Sequence, residues 1–176
     1  MRISGAWSQS EIDAFLAGSQ APVRLGCRTP DDRPWMLSLW YIWADGDAVD
    51  EAGRSLSEGF GGSDCADCPR EILCATSAHA DVVEFLDHDP EISFEVSTND
   101  YPYRGVRGRG TASIESDTEK RLLRALFERY LGGTDNALGD RLLAPEREEV
   151  RIRVSPERLH SWDFSDRMAD IASPNE

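Results

Sequence analysis

Hydrophobic and polar residues alternate with a period of two along several short segments of the chain, which is the pattern of half-buried β-strands. The predicted strands cover residues 23–27, 34–43, 72–76, 92–96, 103–114, 150–154 and 159–164. Segment 34–43 differs from the others because both of its alternating sets are apolar and rich in aromatic side chains. That composition predicts one long strand that is buried on both faces.

Helical spacing of apolar residues appears between these strands. Ser8 and Glu11 have the spacing of a capping box, which predicts a helix that runs from this point to Gly18. The other predicted helices cover residues 79–88, 122–130 and 138–143. Because short turns join most of the strands and strands do not alternate strictly with helices, we expect a mainly β protein, an antiparallel barrel with flanking helices.

The length of the chain, 176 residues, predicts a single domain over residues 1–176. Residues 47–70 are acidic and rich in glycine and serine, and they show little periodicity. We interpret them as an exposed loop inserted between two strands. The last residues, 169–176, are expected to be a frayed tail.

The formal net charge is −14, from 33 acidic and 19 basic residues. Such a surface repels phosphate backbones and anionic membranes, so we expect a small-molecule partner and neither nucleic acid nor membrane. The longest apolar run, 36–43, is too short to cross a bilayer, and no basic segment followed by an apolar stretch opens the chain. We therefore expect a cytoplasmic protein.

Four cysteines raise the question of a metal site. Cys65 and Cys68 have a spacing typical of zinc ligands, and Cys74 and His79 follow downstream. The second pair straddles a predicted strand, so reduced thiols without a metal are the favoured interpretation. No hydrolase or metalloprotease motif is present, and we assign no catalytic residue.

Three arginines lie close together in the predicted strand 103–114. Arg107 and Arg109 are expected on one side of the strand and Arg104 on the other, because side chains alternate. The guanidinium fork suits both phosphate and carboxylate. The pair could therefore hold an anionic ligand or form ion pairs with surface carboxylates.

The order of four motifs resembles the pyridoxamine 5′-phosphate oxidase-like family. The motifs are Arg-Pro-Trp-Met-Leu-Ser-Leu-Trp-Tyr-Ile-Trp-Ala-Asp-Gly at 33–46, the strand and helix of 74–92, Pro-Tyr-Arg-Gly-Val-Arg-Gly-Arg-Gly-Thr-Ala at 102–112, and the closing strands of 150–164. The resemblance implies an antiparallel split β-barrel of the FMN-binding type. It also implies a homodimer with two flavin sites built across the subunit interface.

The resemblance further implies three groups of cofactor-binding residues. They are Met36, Leu37, Ser38, Leu39, Trp40 and Tyr41; Ala75, Thr76, Ser77 and His79; and Arg104, Gly105 and Arg107. The first group would lie along the flavin ring and the second near its phosphate. The third group would lie where the barrel strand approaches the flavin.

One departure from the family pattern concerns the phosphate. Many relatives have an arginine and a lysine where this chain has Asp81 and Val82, and a carboxylate repels an anion. FMN remains the expected cofactor, with the deazaflavin F420, heme or no cofactor as alternatives. The expected function is an FMN-dependent oxidoreductase of unknown substrate. The alternatives are a protein that binds or stores such a ligand without turnover, and a cofactor-free dimer.

Overall fold

The computed structural model describes residues 1–45 and 70–170. The elements, in chain order, are β1 (Arg2–Gly5), α1 (Gln9–Gly18), β2 (Val23–Arg28), β3 (Pro34–Leu39), β4 (Ile42–Asp45), β5 (Arg70–Ser77), α2 (Asp81–His88), β6 (Glu91–Ser97), β7 (Arg104–Ser116), α3 (Arg121–Leu131), α4 (Ala137–Leu142) and β8 (Glu149–Asp163), followed by a 3-10 turn (Asp166–Met168).

The eight strands form one sheet in the order β3-β2-β6-β7-β8-β5-β4, with β1 parallel to β8 and all other pairs antiparallel. β3 and β4 lie at opposite ends of this order, yet only Trp40 and Tyr41 separate them in sequence. The step from Leu39 to Ile42 spans ~11 Å at most. The sheet therefore curves until its edges come close without pairing, and the predicted split antiparallel barrel is confirmed.

The predicted strand 34–43 is wrong in two respects. It is divided into β3 and β4, and β3 is not buried on both faces, because Trp35 is 47% exposed and Met36 70% exposed. In β3 only Leu37 and Leu39 pack against the core of the barrel. An edge strand with apolar residues in its exposed positions cannot be distinguished from a buried strand by composition alone.

The predicted strands 150–154 and 159–164 are also corrected, because they form one continuous strand, β8. A bulge opposite Arg109 and Gly110 lies between the two predicted segments and accounts for the break in alternation. β1 was not predicted, because four residues are too few to show a period. The remaining strands and the four helices are confirmed, although α2 begins at Asp81 rather than at His79.

Two apolar clusters stabilise the fold. The main core fills the barrel, and helices α1 and α2 close it with Ile12, Leu16, Val82 and Leu86. A second cluster packs α3 on β4 and β5. The predicted capping box of α1 is present, since the Glu11 amide donates to Ser8 Oγ (3.4 Å) and the Ser8 amide to Glu11 Oε2 (2.8 Å).

Some predictions fall outside the described residues. These are the inserted loop, of which only Arg70 is described, as the first residue of β5, the Cys65–Cys68 pair and the tail after Asp170. Cys74 is fully buried in the core, and His79 is exposed. Among residues 1–45 and 70–170, no helix is long and apolar enough to cross a membrane.

Candidate functional site

The outward side chains of four neighbouring strands form one face of the barrel. Residues paired across strands lie on the same side of a sheet, so the register arranges them in two rows. The first row contains Arg24, Glu95, Arg107 and His160, and the second contains Gly26, Ser93, Arg109 and Arg158. We call these eight residues the arginine face.

A groove of about 570 Å³ runs along the arginine face. Its wall includes Arg107, Arg109 and Arg158, and Met36 of β3 contributes an apolar side chain. A second groove of about 560 Å³ shares Met36 and Arg109 with the first and continues to Trp35. Grooves of this size accommodate small-molecule ligands. The site therefore offers cations at one end and apolar side chains at the other.

The positive charge in the groove is largely unneutralised. Arg24 donates to Ser97 and Asn99 and lies 3.7 Å from Glu95. Within the described part of the chain, Arg107 and Arg109 make no hydrogen bond or ion pair. Carboxylates outnumber basic residues in this protein, so composition does not explain why these two arginines form no ion pair. Both line the groove, as strand alternation predicts.

Gly105 lies beside this groove and is covered by Trp162. A Cβ atom at position 105 would lie 2.7 Å from the indole and 2.6 Å from the Val96 carbonyl oxygen. The Arg107 guanidinium lies 5.7 Å from the centre of the same indole ring, within the range of a cation–π contact. The absent side chain therefore allows Trp162 to lie against β7 and to support Arg107.

Replacing Gly105 by alanine is expected to destabilise the protein by about 1–3 kcal/mol, because the methyl group overlaps backbone and indole atoms. Urea denaturation followed by far-UV circular dichroism measures this change. Gly18→Ala is the matched control, since a Cβ there meets no atom within 4 Å. Equal stability of Gly105→Ala and wild type would contradict the packing of Trp162 on β7.

Arg104 occupies the end of β7 and is exposed. It pairs in register with Asp163 of β8. The pKa of Asp163 is lowered mainly because its carboxylate accepts a hydrogen bond from the Ser165 hydroxyl. The positive charge of Arg104 lowers this pKa further. Arg104 does not line either groove.

The residues expected along a flavin ring are divided between groove and core. Met36 and Ser38 are exposed, whereas Leu37 and Leu39 point into the barrel. Trp40 stacks on Tyr130, with ring centres 5.0 Å apart. Tyr41 is fully buried and donates to the Leu16 carbonyl at 2.7 Å, and burial raises the pKa of its phenol. Of these six residues, Met36 lines the groove.

The residues expected near a flavin phosphate lie at the other end of the sheet order. Ala75, Thr76 and Ser77 are half-buried at the end of β5, and the His79 imidazole lies 3.7 Å from the Glu148 carboxylate. None of them lines the two grooves of the arginine face. Asp81 begins α2, whose N-terminus has no side-chain cap. The structure therefore does not join this group to Met36 and Arg107 within one chain.

Several groove residues were not predicted from the sequence. They are Arg24, Gly26, Ser93, Arg158 and His160. Arg158 and His160 have the two-residue spacing of side chains on one face of a strand, a signal present in the sequence. Their position beside Arg109 and Arg107 depends on the register of β7 and β8.

No family model and no curated protein matches the chain. Solved structures do share its fold. A conserved hypothetical protein from Mycobacterium tuberculosis is 24% identical, with a TM-score of 0.67, over 98% of this chain and 95% of that one. An F420 reductase is 18% identical, with a TM-score of 0.59, over 83% and 94%. A putative pyridoxamine 5′-phosphate oxidase from Listeria innocua is 13% identical, with a TM-score of 0.53, over 86% and 95%.

The chain thus has the split-barrel fold of pyridoxamine 5′-phosphate oxidase-like proteins. Proteins with this fold do not share one ligand. A FAD-binding protein from Mesorhizobium loti matches with a TM-score of 0.54, and the heme storage protein HutZ from Vibrio cholerae with 0.52. Because these sequence identities are low, the similarity establishes the fold alone. The ligand of this chain has to be inferred from its own residues.

Proposed function

We propose that the protein binds a flavin-type redox cofactor, FMN in the first instance, at the arginine face and acts as an oxidoreductase on a small molecule. One observation carries the proposal. The groove joins the exposed Met36 to Arg107 and Arg109, which have no carboxylate partner in the described part of the chain.

This combination suits a ligand that is apolar at one end and anionic at the other. Guanidinium groups bind phosphate through paired, charge-assisted hydrogen bonds. Met36 and Trp35 offer apolar surface to an aromatic ring. When bound, a flavin supplies the hydride chemistry, and the protein contributes binding, orientation and electrostatics. No side chain of the groove is then required as a nucleophile.

Binding of FMN tests this proposal. Wild type is expected to quench flavin fluorescence saturably, with one FMN per chain. Replacing both Arg107 and Arg109 by alanine is expected to weaken binding about tenfold or more, since each hydrogen bond to a charged group contributes about 1.5–3 kcal/mol. Arg124→Ala is the matched control, because Arg124 is an exposed arginine on α3, outside both grooves. If the double variant and wild type bind FMN with equal affinity, the FMN phosphate does not bind at this face.

We further infer a homodimer in which the partner completes the site. The inference rests on Thr76 and Ser77, which lie outside the grooves of their own chain, and on the exposed Trp35 and Met36. Large exposed apolar side chains that lie together are typical of interaction surfaces. Sedimentation velocity measures the oligomeric state directly.

A mixing experiment tests whether two chains share the site. Thr76→Ala/Ser77→Ala and Arg107→Ala/Arg109→Ala are each expected to bind FMN weakly when alone. If two chains build each site, a heterodimer of the two variants contains one intact site, and co-refolding them restores part of the binding. Binding that stays weak after exchange would place all these residues in a single-chain site. Wild-type affinity of Thr76→Ala/Ser77→Ala alone would remove Thr76 and Ser77 from the site.

A binding or storage role is the second candidate function, and Asp81 is the observation that favours it. An acidic residue at the first position of α2 opposes a phosphate near Thr76 and Ser77. Titrations with F420 and hemin, monitored by absorption, identify the preferred ligand. A bound flavin that dithionite reduces but no biological reductant reduces would support binding without turnover.

A further inference from the structure

Three arginines stand side by side on neighbouring strands at one end of the arginine face. In the register of the sheet Arg109 of β7 lies opposite Arg158 of β8, and Arg158 lies opposite Arg2 of β1. We call these three residues the arginine ladder. Like charges directly opposite one another destabilise a sheet. The repulsion between the three arginines must therefore be offset by a favourable interaction, and a bound anion is the simplest source of it.

The bulge in β8 creates this juxtaposition. Thr111 pairs with Ser155 and Gly110 with Pro156, so an uninterrupted register would place Glu157 opposite Arg109. The register shifts at this point, and Arg158 lies opposite Arg109 instead. A favourable Glu–Arg pair is thereby replaced by an Arg–Arg pair. Bulges frequently re-aim side chains next to functional sites.

The ladder is not neutralised by other groups of the protein. All three side chains are exposed, and within residues 1–45 and 70–170 none of them makes an ion pair or a hydrogen bond. Arginines elsewhere do pair, as Arg153 does with Glu71 at 2.9 Å. With 33 acidic residues in the chain, composition does not explain why these three arginines form no ion pair.

We propose that the arginine ladder is an oxyanion site for the phosphate or carboxylate group of an anionic substrate, held mainly by Arg158 and Arg2 and adjoining the cofactor phosphate at Arg109. The proposal rests on the proposed function in one respect, that a cofactor occupies the part of the arginine face nearer to Met36. β2 and β6 lie between β3 and β7 in the sheet, and Arg158 and Arg2 lie beyond β7. Arg158 lines the far end of the groove and Arg2 lies beyond the lining residues, so this end remains open to a second ligand. Adjacent guanidinium forks suit an oxyanion with several acceptor oxygens.

Pyrophosphate is the probe, and its binding is measured by isothermal titration calorimetry on the full chain without flavin. Arg158→Gln and Arg2→Gln are each expected to weaken binding about tenfold or more. Arg124→Gln is the matched control and is expected to bind like wild type. In the same low-salt buffer without pyrophosphate, Arg158→Gln is expected to raise Tm by roughly 1–3 °C, because it relieves repulsion between like charges.

The two opposite effects separate a ligand site from a structural role. A ladder that serves only the fold would lose Tm on substitution, and that result would overturn the proposal. Unchanged pyrophosphate affinity in both glutamine variants would overturn it as well. Titrations repeated at saturating FMN are expected to retain pyrophosphate binding at Arg158 and Arg2, with a lower affinity because the FMN phosphate shares Arg109. Complete loss of pyrophosphate binding at saturating FMN would assign the ladder to the cofactor phosphate and overturn the proposal. If FMN does not bind, the proposed cofactor site fails, and the titrations without flavin still test the ladder.

Discussion

Replacing Trp43 by alanine is expected to lower the free energy of unfolding by about 3–5 kcal/mol, which is typical of a large aromatic residue removed from a core. The Trp43 side chain is 1% exposed and packs in the main core of the barrel. Its indole Nε1 donates to Asp13 Oδ1 at 2.9 Å, which ties β4 to α1. The substitution therefore creates a cavity and breaks a contact between two elements. Urea denaturation followed by circular dichroism measures the loss.

Trp35→Ala provides the matched control, because it removes the same type of side chain from β3, the strand that precedes β4 in the sequence. Trp35 is 47% exposed, and its main described aromatic contact is the Phe85 ring at 5.8 Å. We expect a loss of about 1 kcal/mol for this partial burial. Similar losses for the two variants would show that β3 and β4 are equally buried, as the sequence pattern had indicated, and would contradict the exposed edge in the structure.

Replacing Asp117 by alanine is expected to cost about 2–3 kcal/mol. This carboxylate is 4% exposed and accepts hydrogen bonds from the amides of Arg121, Leu122 and Leu123 at 3.0, 3.1 and 3.4 Å. It satisfies the first turn of α3 in place of an N-cap side chain, since Lys120 occupies the N-cap position without capping. Alanine would leave these amides without their partner at a buried helix end.

Glu119→Ala is the control for this substitution. Glu119 is exposed and forms an ion pair with Arg121, so its removal is expected to cost less than about 1 kcal/mol. Thermal denaturation of both variants at one salt concentration measures the difference. Equal midpoints for Asp117→Ala and wild type would show that water replaces the carboxylate at the start of α3.

Because acidic residues are exposed elsewhere on the chain, the arginine face is the region where an anionic ligand would meet the least repulsion. A net charge of −14 raises the cost of bringing an anion to most of the surface. Arg107, Arg109 and Arg158 form a local region of opposite sign in the groove. An anionic ligand is thus directed to this region rather than held by the surface as a whole. The same charge pattern predicts that binding weakens as salt increases.

How far the site could be predicted from the sequence differs among its residues. Resemblance to the family led to Met36 and Arg107, and both line the same groove. Thr76 and Ser77, predicted on the same ground, lie outside it, and whether a partner brings them to the cofactor stays a prediction. Arg158 and Arg2 were not predicted, because no sequence pattern relates residues at the two ends of the chain.

The sequence by itself determined the features that depend on near neighbours. Alternation of Ile92, Phe94 and Val96 predicted β6, and the spacing of Ser8 and Glu11 predicted the start of α1. Backbone pleat and helical pitch repeat over a few residues, so these patterns are visible in any short segment. These patterns were sufficient to predict an antiparallel barrel with flanking helices, and the resemblance of the ordered motifs to the pyridoxamine 5′-phosphate oxidase-like family implied its split form.

Only the tertiary structure decided which residues meet across strands. The bulge in β8 changes the residue opposite Arg109 from Glu157 to Arg158, and pairing with β1 adds Arg2. A shift of one position in register exchanges the cross-strand neighbours of all the residues that follow, whereas the sequence of each strand stays the same. The charge of the arginine face is therefore a consequence of register, which long-range packing selects.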